Sequence, residues 1–299
     1  MKTYLDCIPC FFKQALEASR IAGARETAQK KILDAVAKAF LKFPLTSSPP
    51  KMGREIYRIV NAVVKNNDPY RKIKEQSTRR ALRVYDDLLK KVAHSKDRLL
   101  TATQLAIAGN IIDYGVKNSL NVEEELKKIM REERSVIKNE NKRLFAYTAF
   151  RKTVNKSKTI LYLGDNAGET VFDRILIEEI KRIDETKRII YAVKEKPVIN
   201  DALEKDALDA GIGTVAEIVS SGSDAPGTVL SLCSKKFLAM YRQADMVISK
   251  GQGNFEALSK AKRAIFFLFM AKCPVVANDV GCALGDIILL HRSNGVCQR

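Results

Sequence analysis

Two hydrophobic patterns divide the chain. Up to about residue 155, apolar residues recur every three and four positions, as in AQKKILDAVAKAFLKF and TRRALRVYDDLLKKV, the spacing that lays one apolar stripe along a helix. Few β-branched runs interrupt it, so this half is expected to be helical. PLTSSPPKMG reads as a loop between two of these helices, with Pro49 and Pro50 as punctuation. Beyond residue 155, short apolar runs take over. KTILYLG, RIIYAV, TVAEIVS, ADMVISKG, RAIFFLFMA and GDIILLH predict strands, and VFDRILIEEIKRI, DALEKDALDAG, SKKFLAMYRQ and NFEALSKA predict helices between them. The alternation predicts an α/β fold, a doubly wound and mostly parallel sheet over residues 156–299, preceded by an all-helical domain over residues 1–155. No internal repeat or low-complexity segment is evident.

Ligands of open α/β sheets gather outside the carboxyl ends of the strands, where the strand order reverses. The polar clusters fall there. Asp165 and Asn166 follow the first predicted strand, Asn200 and Asp201 the second, Ser220 to Asp224 the third, Lys250 and Asn254 the fourth, and Lys272 with Cys273 the fifth. Asp165, Asn166 and Asp201 offer hard oxygen donors without histidine or thiolate, a set that suits Mg²⁺ or Mn²⁺ among divalent ions. Gly168 and Glu169 open the next helix, whose first amides favour a phosphate oxygen. Lys250 or Lys272 would balance further negative charge, so the expected ligand is a phosphate ester. Each residue also has a plainer reading: Asp165 as a turn former, Asn166 as a left-handed residue, Asp201 as a helix N-cap.

Composition adjusts this picture in three places. Lys and Arg outnumber Asp and Glu by 52 to 35, a net charge of +17, which attracts anions. The bases are spread along the chain and interleaved with acids, as in KKIMREERSVIKNENKR, which argues against nucleic acid as the partner and for a charged solvated surface of the kind common in heat-tolerant proteins, and a positive potential would equally steer a small phosphorylated substrate. No run reaches the roughly 18 apolar residues of a membrane span, and no secretory leader is evident, so a cytoplasmic location is expected. Six cysteines in 299 residues are too few for a disulfide scaffold. Cys7 and Cys10, in CIPC, admit a structural pair, a redox pair or half a metal site. Asn110 and Asp113 interrupt an apolar helix in AIAGNIIDYG, either reaching into the crevice or bonding each other within the core.

LGDNAGE, KPVINDALEKDA, SGSDAPGT, SKGQGNFE and AKCPVVA, in that order, with CIPC near the N-terminus and AIAGNIIDYG between, resemble the damage-control phosphatase family, long catalogued as domain of unknown function 89. The resemblance covers nearly the whole chain and is closest to the prokaryotic branch that carries the N-terminal Cys-x-x-Cys. It implies a helical N-terminal portion, an α/β domain that binds a divalent metal (Mn, Mg, Co or Ni), and hydrolysis of sugar phosphates or related phosphomonoesters. It implies Asp165, Asn166 and Asp201 as metal ligands and Asn254 and Lys272 as substrate contacts. Asp165 would be ligand only, or ligand and nucleophile through an aspartyl-phosphate; Lys272 would stabilise charge growing on the phosphoryl oxygens. The other function class open to this sequence is a non-catalytic nucleotide- or nucleic-acid-binding module in the same crevice, although neither G-x-G-x-x-G nor G-x-x-x-x-G-K-[ST] occurs. Substrate, preferred metal and oligomeric state are not legible.

Overall fold

The structure is a computed structural model that describes residues 1–109, 144–293 and 296–297. Five helices come first: α1 (Cys7–Ile21), α2 (Glu26–Phe40), α3 (Pro49–Val64), α4 (Arg71–Ala93) and α5 (Arg98–Ala108). The expected loop PLTSSPPKMG ends at Ser48, because Pro49 and Pro50 open α3. Proline suits the first helical positions, where its missing N–H has no partner to lose and its φ is preset. After α6 (Tyr147–Lys156) the strands begin.

A seven-stranded sheet runs β3 (Glu217–Ser220), β2 (Arg188–Val193), β1 (Thr159–Leu163), β4 (Met246–Lys250), β5 (Ile265–Met270), β6 (Ile287–Ser293), β7 (Val296–Cys297). The first five in that order are parallel, and β6 and β7 close the edge antiparallel. All six predicted strands are present, in the doubly wound and mostly parallel arrangement expected. The short β7 and the seven-residue helix α11 (Pro274–Val280) were not anticipated. Between strands lie α7 (Thr170–Ile183), α8 (Glu204–Asp209), α9 (Lys235–Gln243) and α10 (Gln252–Leu258).

Side chains alternate across the sheet with period two. Ile160, Tyr162, Ile189, Tyr191, Ile248 and Phe266 face one apolar layer built with α4 to α7. Leu161, Leu163, Ile190, Val247, Phe267 and Phe269 face the other, with Phe237, Phe255 and Val276 from α9 to α11. The last helices of the helical half thus share a core with the sheet, whereas α1 to α3 build their own around Phe11, Ile32, Met52 and Ile56. Among the described residues no helix is long and apolar enough to cross a membrane.

Phe150 of α6 shows the shared core at one contact: it is wholly buried and meets Phe266 of β5 edge to face, with ring centroids 5.4 Å apart. Phe150→Ala is expected to lower the unfolding free energy by about 3–5 kcal/mol, the usual cost of removing a buried aromatic ring, as measured by denaturant titration. A change below about 1 kcal/mol would mean that α6 does not share the sheet's core.

Candidate active site

The strand order reverses between β1 and β4, and the loops leaving β1 and β2 meet beside that point. Asn166 and Asp201 form an isolated antiparallel bridge, flanked by Ala167 N–H donating to Asn200 C=O at 2.9 Å and Ala202 N–H donating to Asp165 C=O at 2.8 Å. To make this pairing the second loop turns sharply at Ile199, whose φ is +48°. A β-branched residue in the left-handed region costs on the order of 1–3 kcal/mol, strain that persists only where surrounding contacts enforce it. The plainer readings of two residues are thereby overturned. Asn166 is extended, at φ −82° and ψ 152°, and the N-cap of α8 is Leu203, not Asp201.

Asp165 and Asp201 are buried, with 8% and 4% exposure, and line a cleft of about 350 Å³ together with Asn166 and Lys272. Burial pushes the Asp165 carboxyl up, and the charges of Glu169 and Asp201 push it further, against the pull of Lys272 and Lys194. Asp201 is likewise raised by burial, partly offset by Lys194, whose Nζ lies 3.5 Å from Oδ2, and by the Gly227 N–H donating at 3.4 Å. Two desolvated carboxylates side by side disfavour their own ionised form, and a divalent cation relieves both the desolvation and the repulsion. The Asn166 amide is held in one orientation. Its Nδ2 donates to Glu169 Oε1 at 2.8 Å and Asp165 Oδ2 at 3.3 Å, so Oδ1 is the atom left to accept a cation. Among the described residues no three His, Cys, Asp or Glu side chains close around one point. The donor set that fits is two carboxylates, one amide oxygen and water, as hard divalent ions prefer.

A second network lies beneath this floor. Lys250 is wholly buried, and its Nζ donates to Asp173 Oδ1 at 2.6 Å and Glu169 Oε2 at 3.2 Å. Tyr162 and Tyr191 each donate a hydroxyl to Asp173 at 2.8 Å. Burial alone would push Lys250 down, but Asp173 and Glu169 prevail and hold it well above the usual lysine value. Asn254 is also wholly buried and fully bonded. Its Nδ2 donates to Gly164 C=O at 3.1 Å and Lys250 C=O at 2.7 Å, and its Oδ1 accepts from Thr228 Oγ1 at 2.7 Å. Gly251 has φ +79°, and a Cβ there would run into the Asp165 carboxylate, so the β4 turn needs glycine to approach the β1 loop.

The chain matches the model of the damage-control phosphatase ARMT1-like domain over residues 3–288. It is 33% identical to a damage-control phosphatase of Pyrococcus horikoshii, over 97% of this chain and 98% of that one. A damage-control phosphatase of Archaeoglobus fulgidus is 32% identical over 79% and 80% of the two chains. The chain belongs to the damage-control phosphatase family. An uncharacterized protein of Methanocaldococcus jannaschii is 34% identical over 96% of this chain and 94% of its own. The crystal structure of a DUF89 family protein from Pyrococcus horikoshii superposes with a TM-score of 0.85 at 30% identity, covering 97% and 99% of the chains.

Within this family fold the expected site residues separate into two groups. Asp165, Asn166, Asp201 and Lys272 line the cleft. Lys250, Glu169 and Asn254 are buried and spend their side chains on the hydrogen bonds just described, so those side chains support the floor and do not line the cleft, and Gly168 is buried in the turn before α7. Asn110 and Asp113 lie outside the described residues. Lys194, Gln252 and Glu256 were missed: Lys194 bonds Asp201, and the other two line the cleft. Their only sequence signal was position, Lys194 at the end of a predicted strand and Gln252 and Glu256 within SKGQGNFE. Cys7 and Cys10 occupy the first turn of α1 as free thiols, half-buried and exposed, and burial pushes both up.

The buried network gives a direct expectation. Lys250→Met leaves Glu169 and Asp173 facing each other without a cation, so the protein should lose about 3–5 kcal/mol of stability in denaturant unfolding. Near-wild-type stability would show that the ammonium does not hold the floor together.

Proposed function

We propose that this protein is a metal-dependent phosphatase that hydrolyses small phosphorylated metabolites, sugar phosphates or related phosphomonoesters. The observation that carries the reading is the pairing of Asp165 and Asp201, buried side by side in one cleft that also presents Lys272. The naming of two relatives as damage-control phosphatases supports it. A cleft of about 350 Å³ is of a size for a small molecule.

In this reading Asp165, Asn166 and Asp201 hold a divalent cation, Mg²⁺ or Mn²⁺ by the hardness of the donors, with Co²⁺ and Ni²⁺ as further candidates. Such an ion supplies Lewis acidity toward a phosphoryl oxygen. The rest of the work falls to the protein's own groups. Glu169 fixes the Asn166 amide through its nitrogen, which leaves the oxygen as the atom that would accept a cation. Lys194 holds Asp201 in place and offsets part of the acidic charge. Lys272 brings its ammonium to the same cleft, where it balances charge gathering on the equatorial phosphoryl oxygens. Phe11, Pro49, Pro50, Ile199 and Pro226 wall the cleft with apolar surface, which limits water and strengthens each electrostatic contact.

Phosphate release by metal-stripped protein, resupplied with one divalent ion at a time across a panel of phosphomonoesters, tests the reading. Release should require the ion and should vanish in Asp165→Asn and in Asp201→Asn while circular dichroism stays native. Normal turnover in either variant at saturating ion would remove the metal assignment. For Lys272→Ala, kcat should fall by roughly 10²–10³, as for loss of one electrostatic donor, with a smaller change in KM. Lys272→Arg should not restore it fully, since a planar fork places its charge differently from a compact ammonium. An unchanged kcat with a salt-sensitive KM would instead make Lys272 a steering charge.

A further inference from the structure

Beside Lys272, the cleft wall carries a carboxyl that the metal site does not use. Glu256, on α10, lines the cleft with Gln252 and Gly253. Its Oε1 accepts from Gln252 Nε2 at 2.9 Å, and Gln252 Oε1 in turn accepts the backbone N–H of Lys272 at 2.9 Å. One glutamine therefore fixes this carboxyl relative to the loop that carries Lys272. Gln252 Nε2 also lies 3.6 Å from Cys273 Sγ, which anchors the amide from a second side. We propose that Glu256 is the general acid of the phosphatase reaction, donating a proton to the ester oxygen as it leaves. The proposal rests on the phosphatase reading above and adds a catalytic residue to it.

The chemistry needs such a group. When water attacks phosphorus, a new P–O bond forms and the ester P–O bond breaks, and the bonding pair goes to the leaving oxygen. An alkoxide is a poor leaving group unless it gains a proton in the same step. Glu256 supplies that proton and becomes a carboxylate, which recovers a proton from solvent. The water's own proton leaves with inorganic phosphate or passes to solvent. One ester and one water give one alcohol and one phosphate, with no change in oxidation state.

The surroundings of Glu256 suit a proton donor. Enclosure by protein pushes its carboxyl up to about 7, against the Gln252 hydrogen bond and the charge of the Met1 amine. That amine bonds the Glu256 carbonyl and Ser259 Oγ, both at 2.6 Å, and burial pushes it down to about 6. Among the described residues, the Cys7 and Cys10 thiols of α1, both raised by burial, also feel the Glu256 charge, Lys272 lines the same cleft, and Asp279, Lys260 and Arg292 act on the Met1 amine. The acid thus holds its proton up to neutral pH, whereas Asp165 and Asp201 sit against each other and are spoken for by a cation.

Leaving-group dependence tests the assignment in the full chain with Mn²⁺ supplied. Glycerol phosphate leaves as an alkoxide that needs a proton; 4-nitrophenyl phosphate leaves as a phenolate that hardly does. Glu256→Gln should lower kcat on glycerol phosphate by roughly 10²–10³, within the range of general acids, and on 4-nitrophenyl phosphate by no more than about tenfold. The wild type should lose kcat on glycerol phosphate as pH rises through about 7, because the protonated acid is the active form, and Glu256→Gln should lack that limb. Equal losses on both esters would overturn the proposal. Should the variant fail to fold, the wild-type profiles decide: a basic limb with glycerol phosphate alone supports the acid, and the same limb with both esters, or with neither, overturns it. If the wild type releases phosphate from neither ester, the phosphatase reading falls and the acid with it, whereas release with equal losses removes only the acid.

Discussion

Lys250 ends β4 with no exposed surface, and its ammonium lies between the carboxylates of Glu169 and Asp173. Much of the cleft follows from that contact. Glu169 belongs to the turn that leads into α7, so the ion pair ties the start of α7 to the end of β4 across the point where strand order reverses. With one carboxylate oxygen on Lys250, Glu169 turns the other to the Asn166 amide and fixes which end of that amide faces the cleft. Asp173 meanwhile gathers two tyrosine hydroxyls from β1 and β2, so three strands are pinned to one buried charge. An isolated ammonium at this depth would be costly; two acids make it tolerable, and the ordered floor is what the arrangement gains.

The sheet was legible because each of its main strands is a short apolar run bounded by turn residues, and the run carries the information regardless of what packs on it. Asp165, Asn166, Asp201 and Lys272 were legible because each follows a strand, and in a parallel sheet those positions share one edge. What could not be read was depth. Lys250 and Lys272 both follow apolar runs, but Lys250 is drawn inward by Asp173, a residue that looked like one more polar position on an amphipathic helix. Asn254 was expected to face substrate because the motif places it near the site. Its three hydrogen bonds instead fasten the β1, β4 and Thr228 segments together. Lys194 escaped notice for the opposite reason, since nothing in KEKP tells which lysine turns toward the neighbouring loop. Pro49 and Pro50 read as a break because prolines end helices as readily as they begin them, and only α3's packing settles which.

Charge is distributed in a way that the net value conceals. The chain carries +17, yet the cleft floor concentrates Asp165, Asp201, Glu169 and Asp173 against Lys194, Lys250 and Lys272. In the cleft itself Asp165 and Asp201 stand with Lys272, so its acids and bases are balanced far more closely than those of the whole chain. The surrounding bases act at longer range, raising the local concentration of anions, and that effect weakens as salt screens it within about 8 Å at physiological ionic strength. Local balance in the cleft and long-range attraction at the surface are thus set by different residues.

The helical half contributes to the cleft through its own core. Phe11 anchors both the α1 to α3 cluster and the cleft wall, and Val198 and Ile199 of the β2 loop pack against that cluster. Gly53 of α3 approaches Pro226 so closely that a Cβ would lie 2.8 Å from its Cγ, and Arg54 pairs with Asp224 in the same loop. The strained Ile199 turn therefore has contacts on two sides: the Asn166–Asp201 bridge below and the helical cluster above. Strain of that kind survives only when neighbours over-determine the backbone. The helices that wall the cleft are consequently the same ones that keep Asp201 beside Asp165, so building the cleft and pairing its two acids are one packing event.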